Sequence, residues 1–469
     1  MDLHLDVGPS GDVTASLYRQ LVSAIREGRL APGERLPSSR ELADQLRISR
    51  GTVTAVYDRL ATESLVDTRR GSGTSVAGKV VPWSGRTAPH GRRIAPRPVW
   101  ASLPPAVPDV EGLGFDLSAG GPDPRLFPLA VWRRLMSESL RPELAGTSPY
   151  AGVGHTALQA AIAGYLGRSR AVVCEGSDVI LTNGAQQGFD LVARVLVSPG
   201  DVVAVEDPAY TGVVRLLASH SATVVGVPVD DEGLVTDALP DAARIVYVTP
   251  SHQFPTGVVM SLRRRIALLE WAARRGAVIV EDDYDSEFRY QHRPLEPLQS
   301  LDSDGYVIYA GSFSKILSPT LRVGYLVAPA SVQPALRTAK LLTDWQGDLA
   351  TQTTLARFIA DGDLAAQLRR TSRVYAHRRE VLRAALADVP ELDVVPSAAG
   401  LRIAAWLRDQ DVDDVEVVKA AAAVDVGIES LSVRYVTQRP RRGVAFGVGR
   451  IDAAHIPEAI ARLARVLRA

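Results

Sequence analysis

Apolar and polar positions fall into two regimes along the chain. In the first stretch the apolar residues keep helical spacing: Leu17, Leu21 and Ile25 recur every fourth position between Ser16 and Arg26, which places them on one face of a helix. A second helix is predicted from Pro37-Ser38-Ser39-Arg40-Glu41-Leu42-Ala43, where a serine stands as the cap before the helical run. A third is predicted from Ser49-Arg50-Gly51-Thr52-Val53 to about Leu60, joined to the second by the turn Arg47-Ile48-Ser49. That spacing is helix-turn-helix spacing. From Leu65 to Val76, polar and apolar residues flank Gly71-Ser72-Gly73, which predicts a two-stranded wing around a glycine-rich turn.

Further on the pattern changes to short apolar runs rich in β-branched residues and bounded by turn signals. They are Ser177 to Thr182, Asp201 to Val205, Arg244 to Val248 and Ala277 to Val280, with helical stretches such as Ser261 to Arg275 between them. Strands alternating with helices predict an α/β unit whose mostly parallel sheet is covered on both faces. Between the two regimes, residues 78–112 carry Pro82, Pro89, Pro96, Pro98, Pro104, Pro105 and Pro108 with Lys79, Arg86, Arg92, Arg93 and Arg97. Proline at that density favours extended chain, so this segment reads as a semi-rigid basic linker, one that passes near DNA or is simply solvated. The expected organisation is a head at 1–77, a linker at 78–112 and a body at 113–469.

Composition narrows the function classes. A chain of 469 residues suggests two to three domains at about 150 residues each. The net charge is zero, so any nucleic-acid binding must come from a local patch. Cys174 is the only cysteine, which excludes an intramolecular disulfide and a cysteine-rich metal site, and no metal is expected. Neither a signal-peptide pattern nor a membrane-spanning apolar run is evident, so no membrane partner and a cytoplasmic location are expected.

In a helix-turn-helix the start of the second helix enters the major groove, so Arg50, Thr52 and Thr54 are expected to face bases or phosphates. Arg69 and Arg70 of the wing are expected near the backbone, and Arg40, Ser49 and Gly73 complete the candidate DNA-binding set. Spacing alone leaves open a small helical domain with a solvated hairpin. The run Pro32 to Ala43, followed by Ser49 to Val53, closely resembles the winged-helix head of GntR-type bacterial regulators. That resemblance implies a double-stranded DNA operator as partner.

The body carries an ordered series of chemical groups. Asn183-Gly184-Ala185-Gln186-Gln187 follows a strand and opens a helix over Ala185 to Val197, whose free N–H groups suit a phosphate. Then come Glu206-Asp207-Pro208-Ala209-Tyr210, Pro250 to Gly257, Glu281-Asp282-Asp283-Tyr284, and Gly311-Ser312-Phe313-Ser314-Lys315 with Arg322. A lysine amine condenses with an aldehyde, a carboxylate keeps a pyridinium nitrogen protonated, and an arginine with hydroxyls holds a phosphate; these are the needs of pyridoxal phosphate (PLP). Singly, a lysine is a solvated charge and a Ser-x-Ser is a turn, so the order carries the case. The whole set resembles fold-type I PLP enzymes of the aminotransferase kind. The resemblance implies Lys315 as the Schiff-base lysine, Asp282 on the ring nitrogen, Tyr284 on the ring hydroxyl and Tyr210 stacked on the ring. It further implies Ala185, Gln186, Ser312, Ser314 and Arg322 around the phosphate, with Tyr150 reaching a phosphate across a dimer interface.

Head and body together resemble the MocR subfamily of bacterial transcriptional regulators, which implies a homodimer with heads swapped head to tail. One departure stands out. Aminotransferases place an arginine for the substrate carboxylate beside a small apolar strand near the C-terminus, and in this chain the register puts Ala445 there. Arg442, Arg434 and Arg402 are the candidate substitutes. The expected function is a PLP-binding transcriptional regulator that senses PLP itself or an amino-acid-like effector. The alternative is a working aminotransferase with an accessory head.

Overall fold

Side-chain caps start all three helices of the head. The computed structural model describes residues 5, 12–69, 73–78, 95–103, 112–118, 120–140, 155–290, 296–397 and 399–468. The chain divides into two units, Met1–Ala95 and Pro96–Ala469. In the first, α1 (Val13–Arg26) begins at Val13 rather than Ser16 because Asp12 accepts from the Ala15 amide at 3.1 Å. Before α2 (Ser39–Leu46), Ser38 and Glu41 form a reciprocal capping box, with bonds of 3.2 Å and 2.8 Å to each other's backbone amides. Arg47 then adopts a left-handed φ of 53°, and Ser49 caps α3 (Arg50–Thr62) by accepting from the Thr52 amide. Leu17, Leu21 and Ile25 of α1 pack with Leu42, Val53, Val56 and Leu60 in one buried core. That core also takes in Val66 and Val76, which lie opposite each other in the wing of β1 (Val66–Arg69) and β2 (Gly73–Val76).

In the second unit, a short strand β3 (Phe115–Asp116) precedes an eight-stranded sheet. The sheet contains β4 (Val179–Thr182), β5 (Val202–Asp207), β6 (Thr223–Asp230), β7 (Gly233–Leu234), β8 (Ala243–Val248), β9 (Val278–Asp282), β10 (Val307–Ser312) and β11 (Gly324–Val327). Its order is β4-β11-β10-β9-β8-β5-β6-β7, with β11 antiparallel to both neighbours and β7 an antiparallel edge. All four predicted runs lie in it, although Ser177 and Asp178 form a separate 3-10 turn closed by Asp178 on the Glu175 amide. Successive side chains serve opposite faces. Ile180 joins the core that contains Phe189 and Leu191, while Leu181 joins the core that contains Leu158 and Ile162.

A second sheet, of order β12-β13-β16-β15, is built from β12 (Leu392–Val394), β13 (Arg402–Leu407), β15 (Glu429–Ser430) and β16 (Gly443–Gly447), while β14 (Val426–Gly427) pairs with β3. It shares a core with the helices Asp363–Ala387 and Ile456–Arg468. Residues 79–94 and 104–111 of the expected linker lie outside the described residues. Within it, Pro98–Ser102 is helical rather than extended. Pro98 occupies the first helical position, where a missing N–H costs no hydrogen bond. Among the described residues no helix is long and apolar enough to cross a membrane.

Replacing Ser38 by Ala removes half of the capping box and should destabilise the head by about 1 kcal/mol. Urea unfolding of the full chain should show an earlier transition for the head; an unmoved midpoint would mean the cap adds nothing.

Candidate functional site

The surface of the head gathers basic and hydroxyl groups at the start of α3. Arg40 of α2 and Arg50 and Thr54 of α3 are exposed, and Arg50 Nε donates to Ser39 Oγ at 3.3 Å, tying the two helices together. Ser49, expected to contact DNA, uses its hydroxyl as the α3 cap and shares a 2.8 Å bond with the Thr52 hydroxyl. Thr54 donates internally to the Arg50 carbonyl at 3.0 Å. Gly73 takes a φ of 88°, and a Cβ there would come within 3.0 Å of the Arg35 guanidinium. Arg35 therefore lies under the wing, a basic residue that the spacing argument passed over. Arg70, the side chain of Arg69, and Tyr150 fall outside the described residues.

In the body, the functional side chains collect where β4, β5, β8, β9 and β10 end, the edge at which open α/β sheets bind ligands. Gly184 has a φ of 79°, and a Cβ on it would lie 2.6 Å from the Arg322 guanidinium. Glycine is thus needed both for the backbone turn and for the close approach. Arg322 donates to the Asn183 carbonyl at 2.7 Å. A Cβ on Gly324 would lie 2.7 Å from the Gly184 carbonyl carbon, and Gly324 pairs with Ser312 across β10 and β11. Loop, arginine and Ser312 are thereby brought together at the N-terminus of the helix Ala185–Leu196, with its unpaired amides. The Gln186 side chain is already engaged with the Gly212 carbonyl at 3.1 Å, which leaves its backbone for an anion.

Asp282 ends β9 and is buried. Its Oδ2 accepts from the Tyr247 hydroxyl at 2.5 Å, while Oδ1 is a buried oxygen without a hydrogen-bond partner among the described residues. Burial, with Asp283 and Asp285 nearby, pushes this carboxyl up to about 7 against the Tyr247 bond that opposes the rise. An unpaired buried acceptor costs about 1–3 kcal/mol, and a pyridinium N–H would satisfy it, so the residues present fit PLP. The half-buried Lys315 amine is pushed down to about 8, by burial first and by Arg402 next, with Asp285, Glu429 and Asp282 opposing. The Tyr284 hydroxyl shares a 2.9 Å bond with His252 Nδ1, which also meets Asp285 at 3.1 Å. Tyr210 stands edge-on to Phe254 at 5.6 Å, and Phe254 edge-on to Tyr284 at 6.0 Å. Ser314 is half-buried beside Lys315 in the chain.

The sequence did not single out Tyr247 or His252. The available signal was a tyrosine in a wholly apolar buried run, whose hydroxyl must find a partner.

Of the three arginine candidates, two converge on this pocket. Arg402 makes a bidentate pair with Glu429 at 2.7 Å and 2.9 Å, and Arg434 reaches the same carboxylate at 2.9 Å and Thr211 at 2.9 Å. Their guanidinium carbons lie 5.0 Å and 5.6 Å from the Phe254 ring centre. Arg442 is half-buried and bonded to the Gln410 carbonyl at 3.0 Å instead. Ala445 sits in β16 between Ala404 and Glu429, and Gly443, at the head of that strand, has no room for a side chain, since a Cβ would lie 2.6 Å from the Ala405 carbonyl.

Comparison with known proteins finds a family match in each of the two units. The family model of aminotransferase class I and II matches residues 115–467, and that of the gntR family of bacterial regulatory proteins matches residues 13–76. The probable rhizopine catabolism regulatory protein MocR of Rhizobium meliloti is 35% identical over 463 residues, 95% of this chain and 91% of its own. The HTH-type pyridoxine biosynthesis transcriptional regulator PdxR of Corynebacterium glutamicum is 33% identical over 440 residues, 94% and 92% of the two chains. Among solved structures, a kynurenine aminotransferase of Pyrococcus horikoshii superposes with a TM-score of 0.70 at 28% identity, over 76% of this chain and 90% of that one.

The neutral amine is the form that attacks an aldehyde, and its share grows as pH rises through about 8 for Lys315. Loading of PLP into cofactor-free protein should therefore accelerate from about pH 7 and level off by about pH 9. The growth of absorbance at the edge of the visible range reads this rate; a profile flat over that interval would show that the amine is not depressed.

Proposed function

The chain belongs to the MocR-type subfamily of GntR transcriptional regulators, and on that premise we propose that its body binds PLP at Lys315 and reads a small effector. The observation that carries this reading is the open Oδ1 of Asp282 near a half-buried lysine of lowered basicity. PLP, when bound, supplies an aldehyde to react with amines and a ring that withdraws electrons. The residues of the chain do the rest. Lys315 presents a partly neutral amine, Asp282 holds a proton on the ring nitrogen, Tyr284 orients the ring hydroxyl, and Arg322 with the Gly184 loop fixes the phosphate. Ala185, Gln186, Ser312 and Ser314 complete that phosphate cradle, and Tyr210 flanks the ring.

The effector is PLP itself or an amino-acid-like compound whose anionic group meets Arg434. The name of the Corynebacterium relative, a regulator of pyridoxine biosynthesis, supports the first; the arginine pair beside Phe254 supports the second. The output is a change in how two heads (1–77), carried on linkers (78–112) from a dimer of bodies (113–469), meet an operator. Such coupling requires the effector to bind two arrangements of the body with different affinity. Arg40, Arg50, Thr52 and Thr54, with Arg69, Arg70 and Gly73 of the wing, form the DNA-facing set. Ser49 serves it by fixing the start of α3.

A gel shift with and without PLP, run beside a transamination assay on common amino acids, tests the reading. DNA retention that responds to PLP is expected; fast turnover without retention would mark an aminotransferase instead. Lys315→Ala should abolish the absorbance of the bound cofactor and leave the head folded. Arg50→Ala should weaken operator binding by about tenfold or more with cofactor binding unchanged. Equal loss of both would sink the assignment of separate sites.

A further inference from the structure

We propose that Glu429 sets the charge class of the effector. It acts as a built-in carboxylate that admits an amine bearing one anionic group and turns away dicarboxylates. The proposal rests on the reading of the body as a PLP-binding sensor.

The geometry of the cluster carries it. Two guanidinium groups, Arg402 and Arg434, share the one carboxylate of Glu429, so a single positive charge remains in excess. Glu429 stays ionised because, against the burial that opposes charge, both arginines hold it below the usual carboxylate range. Arg402 has little left to offer a ligand. Each terminal nitrogen already gives an N–H to Glu429, and its Nε is closed in by Gly120, where a Cβ would lie only 2.0 Å away. Arg434 is different: its terminal nitrogens meet Thr211 and Glu429, but its Nε is a buried donor without a partner among the described residues. A buried charged donor left unpaired seeks an acceptor.

The cluster also faces the reacting centre. Arg402 acts electrostatically on Lys315, and the Phe254 ring that both guanidiniums approach is edge-on to Tyr210 and to Tyr284. A ligand whose amine meets the cofactor at Lys315 thus finds one open anion position at Arg434. A second carboxylate would need the guanidinium of Arg402, and there it meets Glu429, a like charge in a partly buried site.

The test titrates full-length, PLP-loaded protein by calorimetry and by the change in cofactor absorbance. The probes are L-alanine, L-phenylalanine and 5-aminopentanoate against L-aspartate and L-glutamate. Binding of at least one monocarboxylate is expected, with the dicarboxylates weaker by about tenfold or more. Glu429→Gln should narrow or reverse that gap, and Glu429→Asp, which keeps the charge, should retain it. Arg434→Gln should weaken monocarboxylate binding by about tenfold with the cofactor absorbance intact, while Arg442→Gln should change nothing. Dicarboxylates binding as tightly as monocarboxylates, no binding of any probe, or a ratio unmoved in Glu429→Gln would overturn the proposal although the cofactor absorbance is normal. Failure of that absorbance to develop in the wild type would instead sink the cofactor reading, and this one with it.

Discussion

The bond between Tyr247 and Asp282 is the constraint around which the body is arranged. A carboxylate buried at the end of a sheet strand is costly unless paired. Here one oxygen is held by the tyrosine of the adjacent strand and the other is left open. The carboxyl responds by rising to about 7 and the nearby Lys315 amine by falling to about 8. Both groups are thus driven toward neutrality by the same burial, and each is relieved by a different part of one ligand. A pyridinium N–H would let Asp282 stay charged beside a cationic partner, and an aldehyde would take up the amine of Lys315. The pair is poised for a group that offers both at once.

Sheet topology places the second half of the site. β11 runs back between β10 and β4, antiparallel to each. The connection from β10 to β11, which carries Lys315 and Arg322, therefore crosses the end of the sheet and arrives beside the Gly184 loop that follows β4. Gly324 and Gly184 make that arrival close enough for the two loops to touch. Had β11 lain at an edge, Arg322 would have been delivered away from the helix N-terminus it serves. The meeting of Arg322 with the Gly184 loop is a consequence of strand order as much as of residue choice.

What the sequence made legible follows from the range over which its signals act. Caps, turns and short runs are local, so the helix-turn-helix, the strands β4, β5, β8 and β9 and the chain order of Asp282, Lys315 and Arg322 could be read from spacing and resemblance. The start of α1 was misplaced because the apolar stripe begins inside the helix, whereas its boundary is set by Asp12. The helix at Pro98–Ser102 was missed because proline density was weighed without regard to the one helical position that tolerates it. Tyr247, His252 and Glu429 were invisible for another reason. Each acts through a partner far away in the chain, and a tyrosine or a glutamate carries no mark of which strand will lie beside it. For the same reason Arg402, Arg434 and Arg442 could not be ranked until the pairing of β13, β16 and β15 was known.

The same long-range ties bear on how a binding event becomes a signal. The loop that carries Arg434 is latched to the end of β5, where Asp207 accepts from the amides of Val436, Thr437 and Gln438 at 2.8 Å, 2.9 Å and 2.7 Å. The Arg434 carbonyl accepts from the Ala209 amide at 3.0 Å, and its side chain reaches Glu429 on β15 of the other sheet. One residue thus ties the end of the larger sheet to the four-stranded one. A ligand anion on its Nε would add an acceptor to a group held from both sides, and the proposed sensor needs that acceptor to favour one arrangement of the body. Differential affinity of that kind is what a sensor requires.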